Sequence, residues 1–313
     1  MGVFLFCIQF VSLKEELQTM IIVAFIVNGN RKVNKLNEEI IQMALDHPNL
    51  DVTIEKTSYA QEAIQLAKNC CDNKNEIIVA VGGDGTINEV VNGIMLSEIK
   101  PILALLPNGT GNDFYRNFKK TSSKETMIAA FLAKKSFPID TIKATFNEQV
   151  KYCCNIADVG LGGKVISILE QQRQLFGGKI SYNIAIIRGF LAYKKKQMVV
   201  QFNEKTLKSN MLLVAICNGK FFAHGLTINP YASINDGYIH ITSFQKVSLV
   251  DYIRELPKLK KGTPIVHPEV NYFKTKKIRI QSENSFGEMD GEGFTSSNIT
   301  FEIQEKSLSL LML

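Results

Sequence analysis

A chain of 313 residues with 45% hydrophobic and 21% charged side chains can bury a sizeable core and is neither disordered nor fibrous. Its net charge of +6 suits nucleotide phosphates or an anionic membrane surface, and the absence of a basic stripe interleaved with aromatics argues against nucleic acid. Six cysteines, with no CxxC pair and no Cys/His ligand spacing, read as core thiols of a reducing cytosol, not as a disulfide framework or a zinc site.

Residues 1–19 carry no motif. The apolar run 3–11 is too short to span a bilayer. No basic stretch precedes it and no small-residue cleavage site follows, which argues against a secretion signal. Met20 directly precedes the first good strand pattern, so the segment reads as an over-extended start. A short membrane-touching segment is the alternative.

Residues 21–27 form an apolar strand run, followed by the turn Asn28-Gly29-Asn30-Arg31-Lys32. Leu36, Ile40, Ile41 and Leu45 recur at helical spacing, and His47-Pro48 ends that helix. Val52 and Ile54 alternate in a strand that stops at Thr57, and residues 60–69 read as helix. Residues 77–81, rich in branched side chains, read as a strand buried on both faces. Gly82-Gly83-Asp84-Gly85 stops it, and Thr86 opens a helix with Glu89 as its capping-box partner. A fourth strand, 102–106, precedes Pro107-Asn108-Gly109-Thr110-Gly111-Asn112-Asp113, in which Asn112-Asp113 can cap the next helix. Ser122 and Glu125 make a second capping box for a helix to about Lys134. This alternation predicts a doubly wound parallel α/β sheet with its ligands at the carboxyl ends of the strands.

The pattern changes after Ile139. Residues 142–146 and 150–157 read as a hairpin through Asn147-Glu148-Gln149, and Gly160-Leu161-Gly162-Gly163 as a glycine-rich bend. Helices follow at 165–174 and 181–193, then several strands over 198–243 with turns at Asn203-Glu204, Asn218-Gly219 and Asp236-Gly237. A helix over 248–260 is interrupted near Pro257, and strands close the chain at 276–280 and 298–303. The expected organisation is an α/β nucleotide-binding domain over 20–142 and a β-rich, sandwich-like antiparallel domain over 143–313, with a cleft between them. The last strand is free to return to the first domain.

Strand, glycine turn and helix N-terminus at 77–95 make an anion site, because free N–H groups and the helix dipole favour phosphate. Asp84 fits such a site only with a cation or a proton-transfer task. The loop is not a Walker loop, since Thr86-Ile87 follows Gly85, nor a dinucleotide fingerprint, since Asn88 stands where its third glycine would be. GGDGT resembles the signature shared by diacylglycerol-type lipid kinases, NAD kinases and phosphofructokinases. With Leu106 to Arg116 (LPNGTGNDFYR), it resembles the catalytic domain of bacterial diacylglycerol kinases and related lipid kinases. The resemblance continues in order through Asn155 to Gly163 (NIADVGLGG), Cys217 to Phe222 (CNGKFF), Asn229 to Tyr238 (NPYASINDGY) and Asp290-Gly291-Glu292.

That resemblance implies an ATP- and Mg2+-dependent lipid kinase. Its nucleotide cleft would use Asn28, Gly29, Asn30, Arg31, Lys32, Thr57, Gly82, Gly83, Asp84, Gly85, Thr86, Asn88 and Thr110. Ser233, Asp236 and Tyr238 fall where the family holds a structural Mg2+, and Asp140 where an Asp connects that metal through water to the active site. Two departures stand out. The first loop is Asn-Gly-Asn-Arg-Lys where the family usually has Asn-Pro-x-Ser/Ala-Gly, and Ala223-His224-Gly225 replaces consecutive glycines. His224 reads as a substituted loop residue, with contact to the acceptor headgroup as the other reading.

The resemblance places the general base in the DGE segment without choosing between its acids. In a regular strand Asp290 and Glu292 would point to one side. Gly291 also permits a bend in which only one reaches the cleft, and two like charges this close should couple. Asp290 is the preferred base, Glu292 its partner, and Asp84 the next candidate. Ile184, Ile187 and Leu191 read as a core stripe, with a lipid groove as the alternative, and Lys194-Lys195-Lys196 as a solvated run or a membrane-facing cluster. The reading is a cytoplasmic lipid kinase at the inner face of the membrane, with diacylglycerol as acceptor and phosphatidic acid as product. Its partner is a lipid alcohol at the membrane surface, without nucleic acid, and a homodimer is left open. An NAD kinase-like enzyme and a non-catalytic nucleotide- or lipid-binding regulator are the alternatives.

Overall fold

The computed structural model describes residues 20–118, 123–176 and 182–313, so the readings made on residues 1–19 and on Ser122 lie outside the described residues. The first half alternates strand and helix: β1 (Ile21–Val27), α1 (Lys35–Leu45), β2 (Leu50–Lys56), α2 (Glu62–Asp72), β3 (Ile77–Gly82), α3 (Asp84–Met95), β4 (Ile102–Pro107) and α4 (Lys124–Ala133). The four strands pair in parallel in the order β2-β1-β3-β4. Every residue of β3 is buried, as its unbroken apolar run requires, because helices cover both sheet faces.

The second half is β-rich. It comprises β5 (Ser136–Phe146), β6 (Gln149–Cys153), β7 (Ile156–Gly160), α5 (Leu161–Phe176), α6 (Tyr182–Ala192), β8 (Lys196–Phe202), β9 (Lys205–Met211), β10 (Leu213–Cys217), β11 (Phe221–Phe222), β12 (Leu226–Thr227), β13 (Ile239–Phe244), α7 (Leu249–Lys261), β14 (Val270–Thr275), β15 (Lys277–Met289) and β16 (Glu292–Leu311). Its internal pairings are antiparallel. The twenty-residue β16 joins the halves. It pairs with β15 from Glu292 to Glu302 and with β5 from Thr300 to Leu311, and Ser309 and Leu310 lie parallel to β4. One hydrogen-bonded path therefore runs β14-β13-β10-β7-β15-β16-β4-β3-β1-β2.

Several local expectations are corrected. Helix α3 starts at Asp84, and Thr86 and Glu89 form no capping box. The Thr86 hydroxyl instead accepts from the Asn28 side chain (3.0 Å), and Glu89 accepts from the Ala63 N–H (3.2 Å). Asn112 and Asp113 cap no long helix. Asn112 takes a left-handed φ of 50° and accepts from the Gly109 N–H, and only a 3-10 turn over Tyr115–Asn117 follows. Ser123 caps α4 through the Thr126 N–H. The 150–157 strand breaks at Cys154-Asn155, whose N–H groups turn to Asp290. Gly162 and Gly163 open α5, and only Gly160, at φ 131°, turns the chain.

Helix α7 runs through Pro257. A capping box between Ser248 and Asp251 starts it, and Tyr252, Leu256 and Leu259 pack inward, which offsets the roughly 3 kcal/mol that an internal proline costs. The strands expected at 276–280 and 298–303 are parts of the long β15 and β16. On α6, Ala185, Ile186 and Phe190 face the core, whereas Ile184, Ile187 and Leu191 are exposed, so the expected core stripe is a surface stripe.

Gly163 packs on the backbone of Gly287, where an added Cβ would lie 2.4 Å from the Gly287 nitrogen. Backbone cannot yield as a side-chain tip can. Gly163→Ala should therefore lose about 1–3 kcal/mol of stability in urea unfolding, whereas Gly85→Ala, which meets nothing within 4 Å, should lose far less.

Candidate active site

The carboxyl ends of β1, β3 and β4 bring three loops together. The Gly29 N–H donates to the Thr57 hydroxyl (3.2 Å), and a Cβ on Gly29 would meet the Thr57 carbonyl. The Asn108 N–H donates to the Gly82 carbonyl (2.7 Å), and Gly83 and Gly109 touch backbone to backbone. Arg31 donates to the Thr110 hydroxyl (3.4 Å), so the basic first loop leans over the third. Asp84 begins α3, and its carboxylate accepts from the Phe114 N–H (3.0 Å). This clasps the two glycine loops. Asp113 accepts from the His224 N–H (2.9 Å), and burial raises its pKa, with the Asp84 charge adding to the rise.

Asn28, Arg31, Gly83, Asp84, Gly85, Thr86 and Thr110 line one cavity, while Gly29, Asn30, Lys32, Thr57 and Gly82 shape its loops without lining it. Asn88 does not line it: its amide donates to Asp290 (2.8 Å) and to the Tyr152 carbonyl (3.1 Å).

Asp290-Gly291 is the tight turn between β15 and β16, with φ values of 47° and 92° across a Met289–Glu292 pair. The bend separates the two acids, as the glycine permits. One Asp290 oxygen accepts from the Asn155 and Ile156 N–H groups (3.1 and 3.0 Å) and the Cys153 thiol. The other accepts from Asn88 (2.8 Å), the Cys154 N–H (2.9 Å) and the Cys154 thiol. Burial raises the Asp290 pKa, and these donors pull it back. A carboxylate has about four lone-pair sites, all engaged here. Asp290 lines the cavity, as expected of a base, but its lone pairs are taken up by these donors; Glu292 is not among the lining residues. Glu292 is half-buried and held by one ion pair, to Lys151 (3.2 Å). Its charge also reaches Glu89, which lines the cavity and whose pKa burial raises.

A second pair of carboxyls faces the cavity, at two residues that sequence reasoning missed. Asp158 on β7 stands directly across from Glu288 on β15, and both line the cavity. Burial pushes Asp158 up to about 7 and Glu288 well above the carboxylate range, with the Asp158 charge raising Glu288 further. The pair therefore shares a proton near neutral pH. The available signal was an acid inside the apolar strand run IADVG. The same cavity, about 950 Å3 in all, includes a largely apolar chamber lined by Leu161, Val165, Phe190, Phe244, Leu259 and Val270, with Asp251, Glu255 and His267 also on the cavity wall.

The expected metal loop stands apart from this cavity. Asp236 accepts from the Tyr238 N–H (3.2 Å) and bonds the His240 ring (2.9 Å), and the Ser233 hydroxyl donates to Asn235. Asp140, buried, accepts from the Gly237 N–H (2.8 Å) and the Lys306 N–H (2.7 Å). Among the described residues no three His, Cys, Asp or Glu side chains are grouped to hold a metal. A Mg2+ here would rest on carbonyl oxygens, one carboxylate and waters, a hard-oxygen set that suits it. Asn218 donates to the Asp140 carbonyl while its own Oδ1 is buried without a partner, which fits a water relay beside Asp140.

Comparison with known proteins gives a consistent result. Residues 22–144 match the diacylglycerol kinase catalytic domain, and residues 155–312 match the YegS C-terminal NAD kinase beta sandwich-like domain. The chain is 25% identical over 298 residues to a Shewanella frigidimarina (strain NCIMB 400) protein named "Probable lipid kinase YegS-like", covering 93% of each. It is 24% identical over 268 residues to the diacylglycerol kinase of Bacillus subtilis (strain 168), covering 84% of this chain and 86% of that one. A crystal structure of a diacylglycerol kinase from Bacillus anthracis str. Sterne superposes with a TM-score of 0.68 at 19% identity, over 94% of this chain and 97% of that one. At that identity the superposition speaks for the fold.

The buried acid pair sets a pH dependence. Asp158 is raised from 3.8 to about 7 in the folded protein, so the folded state holds a proton that the unfolded chain has released. The stability this gives is full below about pH 4 and is lost as pH rises through about 7. Asp158→Asn should flatten this fall and raise the melting temperature at pH 8, as followed by scanning fluorimetry between pH 5 and 8. A parallel pair of wild-type and variant curves would show that the carboxyls do not share a proton.

Proposed function

The chain belongs to the lipid kinase family marked by a diacylglycerol kinase catalytic domain and a YegS-type C-terminal domain, and from this premise we propose that it transfers the γ-phosphate of ATP to a lipid hydroxyl. The proposed acceptor is diacylglycerol, the product phosphatidic acid, and the place of work the inner face of the cytoplasmic membrane. One observation supports this above the others: a single cavity joins the glycine loops to an apolar chamber. A soluble nucleotide acceptor such as NAD would have no use for that chamber. Among the described residues no helix is long and apolar enough to cross a membrane, so contact with lipid would be peripheral.

In this reading the N-terminus of α3, Arg31 and Thr110 bind phosphate oxygens, and the close-packed glycines let backbone approach them. Asp84 orients the Mg2+–nucleotide while holding the third loop in place. Bound Mg2+ supplies charge neutralisation for phosphoryl transfer; at the separate loop of Ser233, Asp236 and Tyr238, linked to Asp140, it would be structural. Acyl chains occupy the chamber and exclude water from the reacting hydroxyl. Glu292, next to the cavity-lining Gly291, accepts the hydroxyl proton, since its oxygens meet only one partner, Lys151, and are not saturated. Asp290 positions the turn that carries it.

Incubation with labelled ATP and dioctanoylglycerol, with NAD as the control acceptor, tests the assignment. Labelled phosphatidic acid is the expected product, and phosphorylation of NAD alone would sink the reading. Glu292→Gln should lower turnover by about 10²–10⁴-fold while ATP binding is kept. Asp290→Asn should also cost about 3–5 kcal/mol of stability, because it places an amide against buried N–H donors. Near-normal turnover of Glu292→Gln would move the base to another carboxylate, Asp84 first.

A further inference from the structure

The turn between β11 and β12 holds three successive residues in the left-handed region: Ala223 (φ 48°), His224 (φ 67°) and Gly225 (φ 96°). For glycine that region is ordinary, and for the other two it carries strain. Such strain persists only where surrounding contacts over-determine it, and here they do. The Gly225 N–H donates to the Phe222 carbonyl (3.1 Å) and closes the turn. The His224 N–H donates to Asp113 (2.9 Å), which also pairs with Arg116 (3.3 Å). Arg116 in turn donates to the Gly111 carbonyl (3.2 Å). Its guanidinium lies against Gly225, where an added Cβ would come within 3.2 Å of it. The third glycine loop of the first half therefore grips the turn.

The rest of the turn belongs to the second half. Phe222 and Ala223 pack against the apolar cluster of Leu161, Val165 and Phe244, which line the chamber. Phe222, Ala223 and His224 line the cavity themselves. The turn thus touches both the glycine-loop side and the apolar side of one cavity, and an amphipathic acceptor has to place its headgroup between those two environments. Within residues 221–225, FFAHG, only His224 has a polar side chain. The nearby carboxylates accept and cannot donate when ionised: Asp84 holds the Phe114 N–H, and Asp113 the His224 N–H. In diacylglycerol the oxygens beside the reacting hydroxyl belong to esters, whose carbonyls need a donor. An imidazole supplies one.

We propose that His224 is a specificity-determining residue, which donates a hydrogen bond to an ester carbonyl of the acceptor beside its reacting hydroxyl, and that the strained turn serves to hold it there. The assignment rests on the lipid-kinase reading, and its contact with lipid is measurable without phosphoryl transfer. A turn of glycines alone would be free of strain and would have no side chain with which to tell an ester lipid from an ether lipid.

The test gives the purified full chain dioctanoylglycerol and its diether analogue, which keeps the hydroxyl and both chains and lacks the ester carbonyls. Wild type should favour the diester in kcat/KM by about tenfold, as expected when one buried hydrogen bond is left unmade. His224→Gly should abolish that preference and leave the KM for ATP unchanged. Its melting temperature should stay at or above that of wild type, because glycine relieves the backbone. Ala223→Gly loosens the same turn without removing a polar group, and it should keep the preference. If neither lipid is phosphorylated, calorimetric titration of both into the chain loaded with a non-hydrolysable ATP analogue repeats the comparison. A diester preference in binding that His224→Gly removes supports the contact and overturns only the transfer reading. Four outcomes overturn the contact: no binding of either lipid, a wild type indifferent to the carbonyls, a preference that survives His224→Gly, or one that Ala223→Gly removes as well.

Discussion

The carboxylate of Asp290 is the point on which the architecture converges. Its donors come from two separate stretches, Asn88 on α3 and the 153–156 break between β6 and β7, and the acid itself sits on a third, the β15–β16 turn. One charge thereby holds an element of the first half against two of the second. A buried carboxylate without such donors would cost several kcal/mol, so the interaction is cooperative: each donor is needed because the others have already been withdrawn from water. The cysteines at 153 and 154 fit this role, as compact groups that add weak S–H donors without bulk. Burial and the neighbouring Asp290 charge both raise their pKa, which keeps them as thiols and suits them to donate.

From that anchor the rest of the site acquires its polarity. The glycine loops present N–H groups and Arg31 at one end of the cavity. The Asp158–Glu288 pair and a largely apolar set of side chains line the same cavity. The shared proton keeps two acids in a poorly hydrated place without a full second charge, a solution seen wherever carboxyls are forced together.

The first half was legible because each strand is a short apolar run and each connection carries its own turn chemistry. The parallel order and the loops at the strand ends follow from local pattern alone. The second half was legible only in part. The stretch 281–289, QSENSFGEM, is too polar to announce a strand, yet β15 runs through it because its partners β7, β8 and β16 complete the ladder. The capping box expected at Thr86 failed for a related reason: Asn28, far away in sequence, claims the hydroxyl. The exposed stripe on α6 shows the limit of periodicity, which gives a helix's faces but not which of them meets the core. The acid at 158 shows in the sequence only as a carboxyl inside an apolar strand run, and its pairing with Glu288 and the apolar chamber come from tertiary packing.

The long β16 has a consequence for how the molecule assembles. Strand β4 gains its outer neighbour from Ser309 and Leu310, while its inner neighbour β3 lies only a short crossover upstream. During synthesis the parallel sheet must therefore wait, with the backbone of β4 unpaired along one edge, until almost the whole second half has left the ribosome. Open edges of this kind invite pairing with other chains, and closing so long a loop is slow. The nascent chain is accordingly most prone to aggregate between the emergence of residue 107 and that of residue 309, and chaperone demand should concentrate in that interval.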